Sequence, residues 1–114
     1  MSGDCLFCKI ASGVLPSEFL LETDRLVAFR DLNPVAPSHI LVIPKKHISS
    51  LAHLEPTDED LMGEMMLAMK DLAEQEGLES GFRVVANTGD DGGQSVHHLH
   101  FHLIGGRSLR WPPG

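Results

Sequence analysis

Residues 95–106 read SVHHLHFHLIGG, which places four of the chain's seven histidines within six positions. On an extended segment residues two apart share a side, so Val96, His98, His100, His102 and Ile104 would line one face, with Leu99 and Phe101 on the other. Successive histidines would then stand about 6.6–6.8 Å apart along the strand, a spacing that lets two imidazoles flank a phosphate-sized group. One straight strand cannot bring all three onto a single zinc ion, whose ligand bonds are only about 2 Å. A lone histidine on an apolar strand is ordinarily a satisfied core residue. Three on one face each need partners for two ring nitrogens, which marks the face as a site. A cupin-like metal site on His100-x-His102 would require a later glutamate, and no acidic residue follows Asp91.

With a pKa of about 6.5, imidazole is largely neutral and nucleophilic near pH 7. Its attack on phosphorus forms a P–N bond. A substrate that itself carries a P–N bond therefore exchanges one phosphoramidate for another without a steep energetic step. The departing amine needs a proton from a second imidazole or a relayed hydroxyl, help worth about 10²–10⁴-fold. Just upstream, Gly92-Gly93 taken alone is a turn. Beside aligned imidazoles it reads as a phosphate cradle, with Gln94 and Ser95 as donors.

Elsewhere, Cys5-x-x-Cys8 leaves metal binding, redox chemistry and plain burial all open. The start, MSGDCLFCKI, lacks the basic and apolar regions of a signal peptide, and no run reaches transmembrane length, so a cytoplasmic location is expected. A structural disulfide is not expected in that reducing compartment. Sixteen acids against nine Lys and Arg, for a formal charge of −7, disfavour nucleic acid and anionic membranes as partners. At 114 residues, 42% hydrophobic and 22% charged, the chain reads as one globular domain, 1–114.

These residues need elements to hold them. Residues 5–12 suit a short helix stopped by Gly13 and Pro16, and 19–30 a hairpin turning at Thr23-Asp24. Residues 31–39, with two prolines, read as a loop, and the aliphatic run 40–44 as a central strand. The clearest helix is 57–77: Thr57 and Asp60 offer a capping box, and Leu61, Met65, Met69 and Leu72 share one face. That methionine stripe is read as core packing, and Gly77 suits the position just past the helix end. Residues 82–87 and 95–104 read as strands around a loop at 88–93. With strands outnumbering helices and no βαβ rhythm, an antiparallel sheet backed by one main helix follows.

The motif HLHFHLI at 98–104 resembles that of the histidine-triad (HIT) family, and the chain from about Asp4 onward resembles its Hint branch, the nucleoside phosphoramidases. The segment FRDLNPVAPSHILVIPKKHIS at 29–49 and the tail GGRSLRWPPG at 105–114 carry further resemblance. It implies an α+β fold of the HIT type: an antiparallel sheet of about five strands, one main helix and a short N-terminal helix. It also implies a homodimer acting on purine nucleotides at the α-phosphate, through a nucleotidyl-histidine intermediate and without a catalytic cofactor.

By motif position His100 resembles the nucleophile. His102 would contact the phosphate and assist the leaving amine with Ser95 nearby, and His39 would orient its neighbours. Asp31 matches the ribose-binding position. Leu6, Phe7, Ile10, Phe29 and Leu32 would form the slot for the base. Asn87 and the backbone from Gly93 through Gln94 to Ser95 would line the phosphate side. His102, as histidine rather than glutamine, favours hydrolysis over nucleotidyl transfer, and His97 would be a packing or surface residue. Related bacterial proteins and the galactose phosphate uridylyltransferases bind structural zinc through matching residues, which here would be Cys5, Cys8, His47 and His98. Two rival readings stand beside this one: a dinucleoside polyphosphate hydrolase of another branch, and a regulatory sensor of purine nucleotides.

Overall fold

A computed structural model describes residues 4–114 of the chain. Its elements are α1 (Leu6–Ala11), β1 (Phe19–Glu22), β2 (Leu26–Arg30), β3 (Ser38–Pro44), α2 (Glu59–Gln75), β4 (Phe82–Val85) and β5 (Phe101–Gly105). The strands form one antiparallel sheet in the order β1-β2-β3-β5-β4 among the described residues. This is the expected α+β architecture of about five strands, a main helix and a short N-terminal helix.

β3 is buried at every position, because both faces of the sheet are covered. On one side Leu26, Ala28, Ile40, Val42, Phe101 and Leu103 pack against Met65, Met69 and Leu72 of α2. On the other Val27, Phe29, Leu41 and Ile43 pack against Phe7 and Ala11 of α1. That two-sided burial explains why residues 40–44 carry no polar alternation. No described helix is long and apolar enough to cross a membrane.

The start of α2 differs from expectation. Residues 56–58 form a 3₁₀ turn that carries the capping box, in which Asp58 Oδ2 accepts the Glu55 N–H at 2.9 Å, while Asp58 makes no side-chain cap bond to α2 itself. Thr57 and Asp60 do not form the box, because Pro56 starts the turn one residue before Thr57. The helix ends as read. Gly77 adopts φ +72°, the Leu78 N–H reaches the Ala73 carbonyl at 3.0 Å, and the Gly77 N–H reaches that of Glu74 at 3.1 Å. These two bonds satisfy carbonyls that the last turn would leave open. Glu76 then ties this end to the sheet, accepting from Arg30 at 2.7 and 2.9 Å and from the Ser38 hydroxyl at 2.8 Å. The Arg30 guanidinium holds the Glu76 carboxyl below its usual range.

Two further corrections concern the strands. β3 begins at Ser38, inside the segment read as loop, because Pro37 ends the proline-bearing stretch. β5 begins only at Phe101, since the backbone bends at residues 96–98. His98 and His100 therefore precede the ladder, although the Leu99 N–H still bonds the Ile48 carbonyl at 2.6 Å. The alternation survives the bend. Leu99 joins the α2-side core, while His98 and His100 lie edge-on to Phe7 on the α1 side.

Candidate functional site

β5 pairs His102 with Leu41 of β3 and His39 with Ile104, which brings His39 beside the histidine row. His39 and His100 are buried, and His102 is half-buried. The protons can be placed from the hydrogen bonds. His100 Nδ1–H donates to the His98 carbonyl at 2.7 Å, so the lone pair of the neutral ring sits on Nε2. His39 Nδ1 accepts the Val35 N–H at 3.2 Å, so its proton sits on Nε2. That proton is donated to His102 Nδ1 at 2.8 Å, with the Asp31 carboxylate 3.4 Å away. His102 must then carry its own proton on Nε2. The rings of His100 and His102 lie 5.1 Å apart, so one neighbour offers a lone pair and the other an N–H.

Burial, with His100 and His39 as neighbours, pushes the His102 imidazole down to about 4. Near neutral pH it is therefore an uncharged donor. The same shift links it to stability. Between pH 6.5 and about 4 the unfolded chain binds a proton that the folded ring refuses, so stability falls as pH drops through that window. Discounted for the ring's partial exposure, the loss is on the order of 2 kcal/mol. Urea denaturation at several pH values should show it, and His102→Gln should flatten that part of the profile. An unchanged slope in the variant would refute the assignment.

Asp31, His39 and His102 present three ligand-type atoms within 4.8 Å of one another. Their protonation makes them a hydrogen-bond relay rather than a metal seat, since the Val35 N–H requires a lone pair on His39 Nδ1. The second cluster, Cys5, Cys8, His47 and His98, is different in kind. His98 Nε2–H donates to the Pro44 carbonyl at 2.8 Å, turning the Nδ1 lone pair toward the cysteines. Its Nδ1 lies 3.3 Å from Cys5 Sγ, 3.4 Å from Cys8 Sγ and 3.2 Å from His47 Nδ1. A tetrahedral zinc with bonds of about 2.0–2.3 Å would hold its donors about 3.3–3.8 Å apart, so the set fits with small adjustments. A backbone carbonyl on the far nitrogen is the usual support for a ligating histidine. Burial also pushes the His98 imidazole below its ordinary value.

The other expected residues divide. Phe7 and Phe29 meet edge-to-face at 5.9 Å and pack in one apolar cluster with Ile10. Leu6 is 46% and Leu32 94% exposed, and neither belongs to that cluster. Asp31 Oδ1 caps the following turn by accepting the Asn33 N–H at 2.8 Å, leaving Oδ2 toward His39. Ser95 and Gly93 are exposed, as is His97.

Gln94 corrects the expected cradle. Its amide donates to the Ser49 and Val96 carbonyls at 2.7 and 3.0 Å, and its carbonyl accepts the Gly89 N–H at 3.0 Å. The backbone N–H groups of Gly93 and Gln94 are likewise used inside the loop, on Asp90 and Gly89. Asn87 donates to the Gly92 carbonyl at 2.7 Å. These residues therefore brace the loop, and Ser95 is left as the side-chain donor of the group. Gly92 itself is obligatory, since an added Cβ would stand 2.3 Å from the Thr88 carbonyl oxygen.

A groove of about 700 Å³ is lined by residues between Gly77 and Arg83 and between Gly106 and Leu109, and no histidine is among them. A second, of about 540 Å³, borders Cys5, His47 and Ser95. Sequence reasoning gave His39 an orienting role but not the bonded relay from Asp31 through His39 to His102. Asp31 and His39 are joined locally, the Asp31 N–H bonding the His39 carbonyl at 3.0 Å, but His102 lies 63 positions from His39 and meets it only through the β3–β5 pairing.

The HIT domain family profile matches residues 12–109, beginning just after the cysteine pair. An HIT-like protein of Synechococcus elongatus is 51% identical over 114 residues, covering all of both chains. Protein HitA of Neisseria gonorrhoeae is 47% identical over 102 residues, which is 90% of this chain and 95% of that one. Among solved structures, a HIT family hydrolase from Legionella pneumophila superposes with a TM-score of 0.95 at 47% identity, covering 97% of this chain and 100% of that one.

Proposed function

The chain belongs to the HIT domain family, and on that basis we propose that it hydrolyses purine nucleoside phosphoramidates of the adenosine phosphoramidate type to the nucleoside monophosphate and an amine. The observation that carries this reading is the complementary protonation of two neighbouring rings: a lone pair on His100 Nε2 and a proton on His102 Nε2. His100 Nε2 attacks the α-phosphorus as its P–N bond to the amine breaks; the His102 Nε2–H hydrogen-bonds the departing nitrogen, and solvent supplies the proton with which it leaves as the amine. The nucleotidyl-histidine formed is then attacked by water, which releases a proton to solvent as the bond from phosphorus to His100 breaks. His39 acts by fixing the tautomer of His102, and Ser95 donates to the non-bridging oxygens, where a preorganised donor stabilises developing charge.

In the same reading the purine lies in the slot of Leu6, Phe7, Ile10, Phe29 and Leu32, and the ribose hydroxyls meet Asp31. Asn87, Gly93 and Gln94 shape the phosphate-side loop rather than supplying side-chain donors. Cys5, Cys8, His47 and His98 would hold zinc, which supplies cross-linking of the N-terminal segment to the sheet and no catalytic chemistry. Cys5 and Cys8 are not joined by a disulfide, which suits a reducing cytoplasm.

We also propose a homodimer. Trp111 is 82% exposed and Phe82, on edge strand β4, is 47% exposed, and both suit burial against a second copy. Light scattering should give twice 12.5 kDa; a monomer mass would refute it.

The functional test is turnover. The protein is expected to hydrolyse adenosine phosphoramidate at least about tenfold more efficiently than diadenosine polyphosphates. The reverse preference would assign it to the dinucleoside polyphosphate hydrolases. Tight AMP binding with no turnover of either would make it a sensor.

A further inference from the structure

The metal cluster and the phosphate site share parts. The carbonyl oxygen that fixes His100, by accepting its Nδ1–H at 2.7 Å, belongs to His98, whose ring is one of the four cluster members. Phe7 lies between Cys5 and Cys8 on the chain and packs edge-on to His98 at 6.0 Å and to His100 at 5.0 Å. The same α1 helix carries Ile10 and presses Phe7 on Phe29. α1 is only six residues long, and the seven residues after it, 12–18, are all exposed. The anchorage of α1 thus rests on a small apolar contact and on the cluster. Finally, the cavity of about 540 Å³ opens Cys5 and His47 to solvent and reaches Ser95, giving an ion a route in and out.

We propose that metal occupancy of the Cys5–Cys8–His47–His98 cluster controls the phosphate site, by setting the position of His100 through the His98 backbone and of the base slot through α1. The proposal rests on the reading of His100 and the α1 slot given above. When the cluster is filled, the bend at 96–98 and the start of α1 are drawn to one point. The His98 carbonyl and the Phe7 ring then hold His100 from two sides. When it is empty, both supports loosen together. The cluster is thereby a regulator of nucleotide binding as well as a structural clasp.

The test compares zinc-loaded wild-type protein with the same protein stripped by dipicolinate, its fold checked by circular dichroism. AMP affinity by calorimetry and the ¹⁵N signals of the His100 ring are the readouts. Stripping is expected to weaken AMP about tenfold or more, and to shift or broaden the His100 signals, with one equivalent of Zn²⁺ restoring both. By reciprocity AMP should tighten zinc by the same factor.

If stripping unfolds the chain, His47→Ala, which leaves three donors, replaces it, and AMP affinity should then rise with added Zn²⁺. AMP affinity within about twofold across zinc states, with unchanged His100 signals, overturns the proposal. A zinc-loaded protein that binds no AMP overturns the functional reading instead. The ring signals, which need no nucleotide, still decide the coupling in that case.

Discussion

Replacing His100 by alanine is expected to lower turnover of adenosine phosphoramidate by about 10³-fold or more, while AMP affinity stays within about tenfold. The asymmetry follows from what the ring does. Its Nδ1–H is spent on the His98 carbonyl, so Nε2 is the atom that can form the covalent bond. Losing it removes the step itself rather than a contact made equally by ground and transition states. In the proposed reading AMP would still be held by Phe7, Phe29 and Asp31. The residue is 6% exposed, and its truncation leaves space beside Phe7 that a small imidazole can enter. Added imidazole should therefore restore part of the rate in His100→Gly. Retention of more than about a tenth of wild-type turnover in His100→Ala would refute the nucleophile assignment.

Leu103→Ala is expected to have the largest effect on stability, about 2–5 kcal/mol, read by urea or thermal unfolding. Leu103 is fully buried on β5, opposite Ile40 of β3 and Val84 of β4, and packs into the α2-side core. Three tightly paired strands surround the position, so little can move in to fill the cavity. A loss below about 1 kcal/mol would mean that α2 collapses onto the sheet, contrary to this packing. AMP affinity at a temperature where the variant is folded should be nearly unchanged, because the histidine face lies on the other side.

The sheet was readable because its apolar patterns are local. β3 announced itself as an unbroken aliphatic run ended by Pro44, and α2 by Leu61, Met65, Met69 and Leu72, all of which are buried. The histidine row was readable for the same reason, since period-two alternation persists through the bend at 96–98. What escaped was long-range or competitive. The capping box formed on the 3₁₀ turn, between Glu55 and Asp58 rather than Thr57 and Asp60, because Pro56 starts its own turn, a contest between two local signals two residues apart. Gln94 looked like a phosphate donor by type, yet its partner Ser49 lies 45 positions away, which no local pattern reports. The relay from Asp31 to His102 depended on which strand pairs with β5, and spacing along the chain does not specify that.

The alternation along 98–103 also limits how this protein can change over evolutionary time. Leu99, Phe101 and Leu103 serve one core, while His98, His100 and His102 serve the other side. Adding or deleting one residue here would exchange the two sets, putting imidazoles against α2 and leucines over the proposed reaction site. Substitutions can be tried one at a time in this stretch, but changes of length cannot. The exposed loop at 89–93 carries no such alternation, so a change of length there would move no side chain from one core to the other, although Gly92, the positive-φ Gly89 and Gly93 and the bonds that brace the loop must be accommodated. Length variation among relatives should therefore gather before the histidines, and a working triad should keep its spacing even where nearly every neighbour has been replaced.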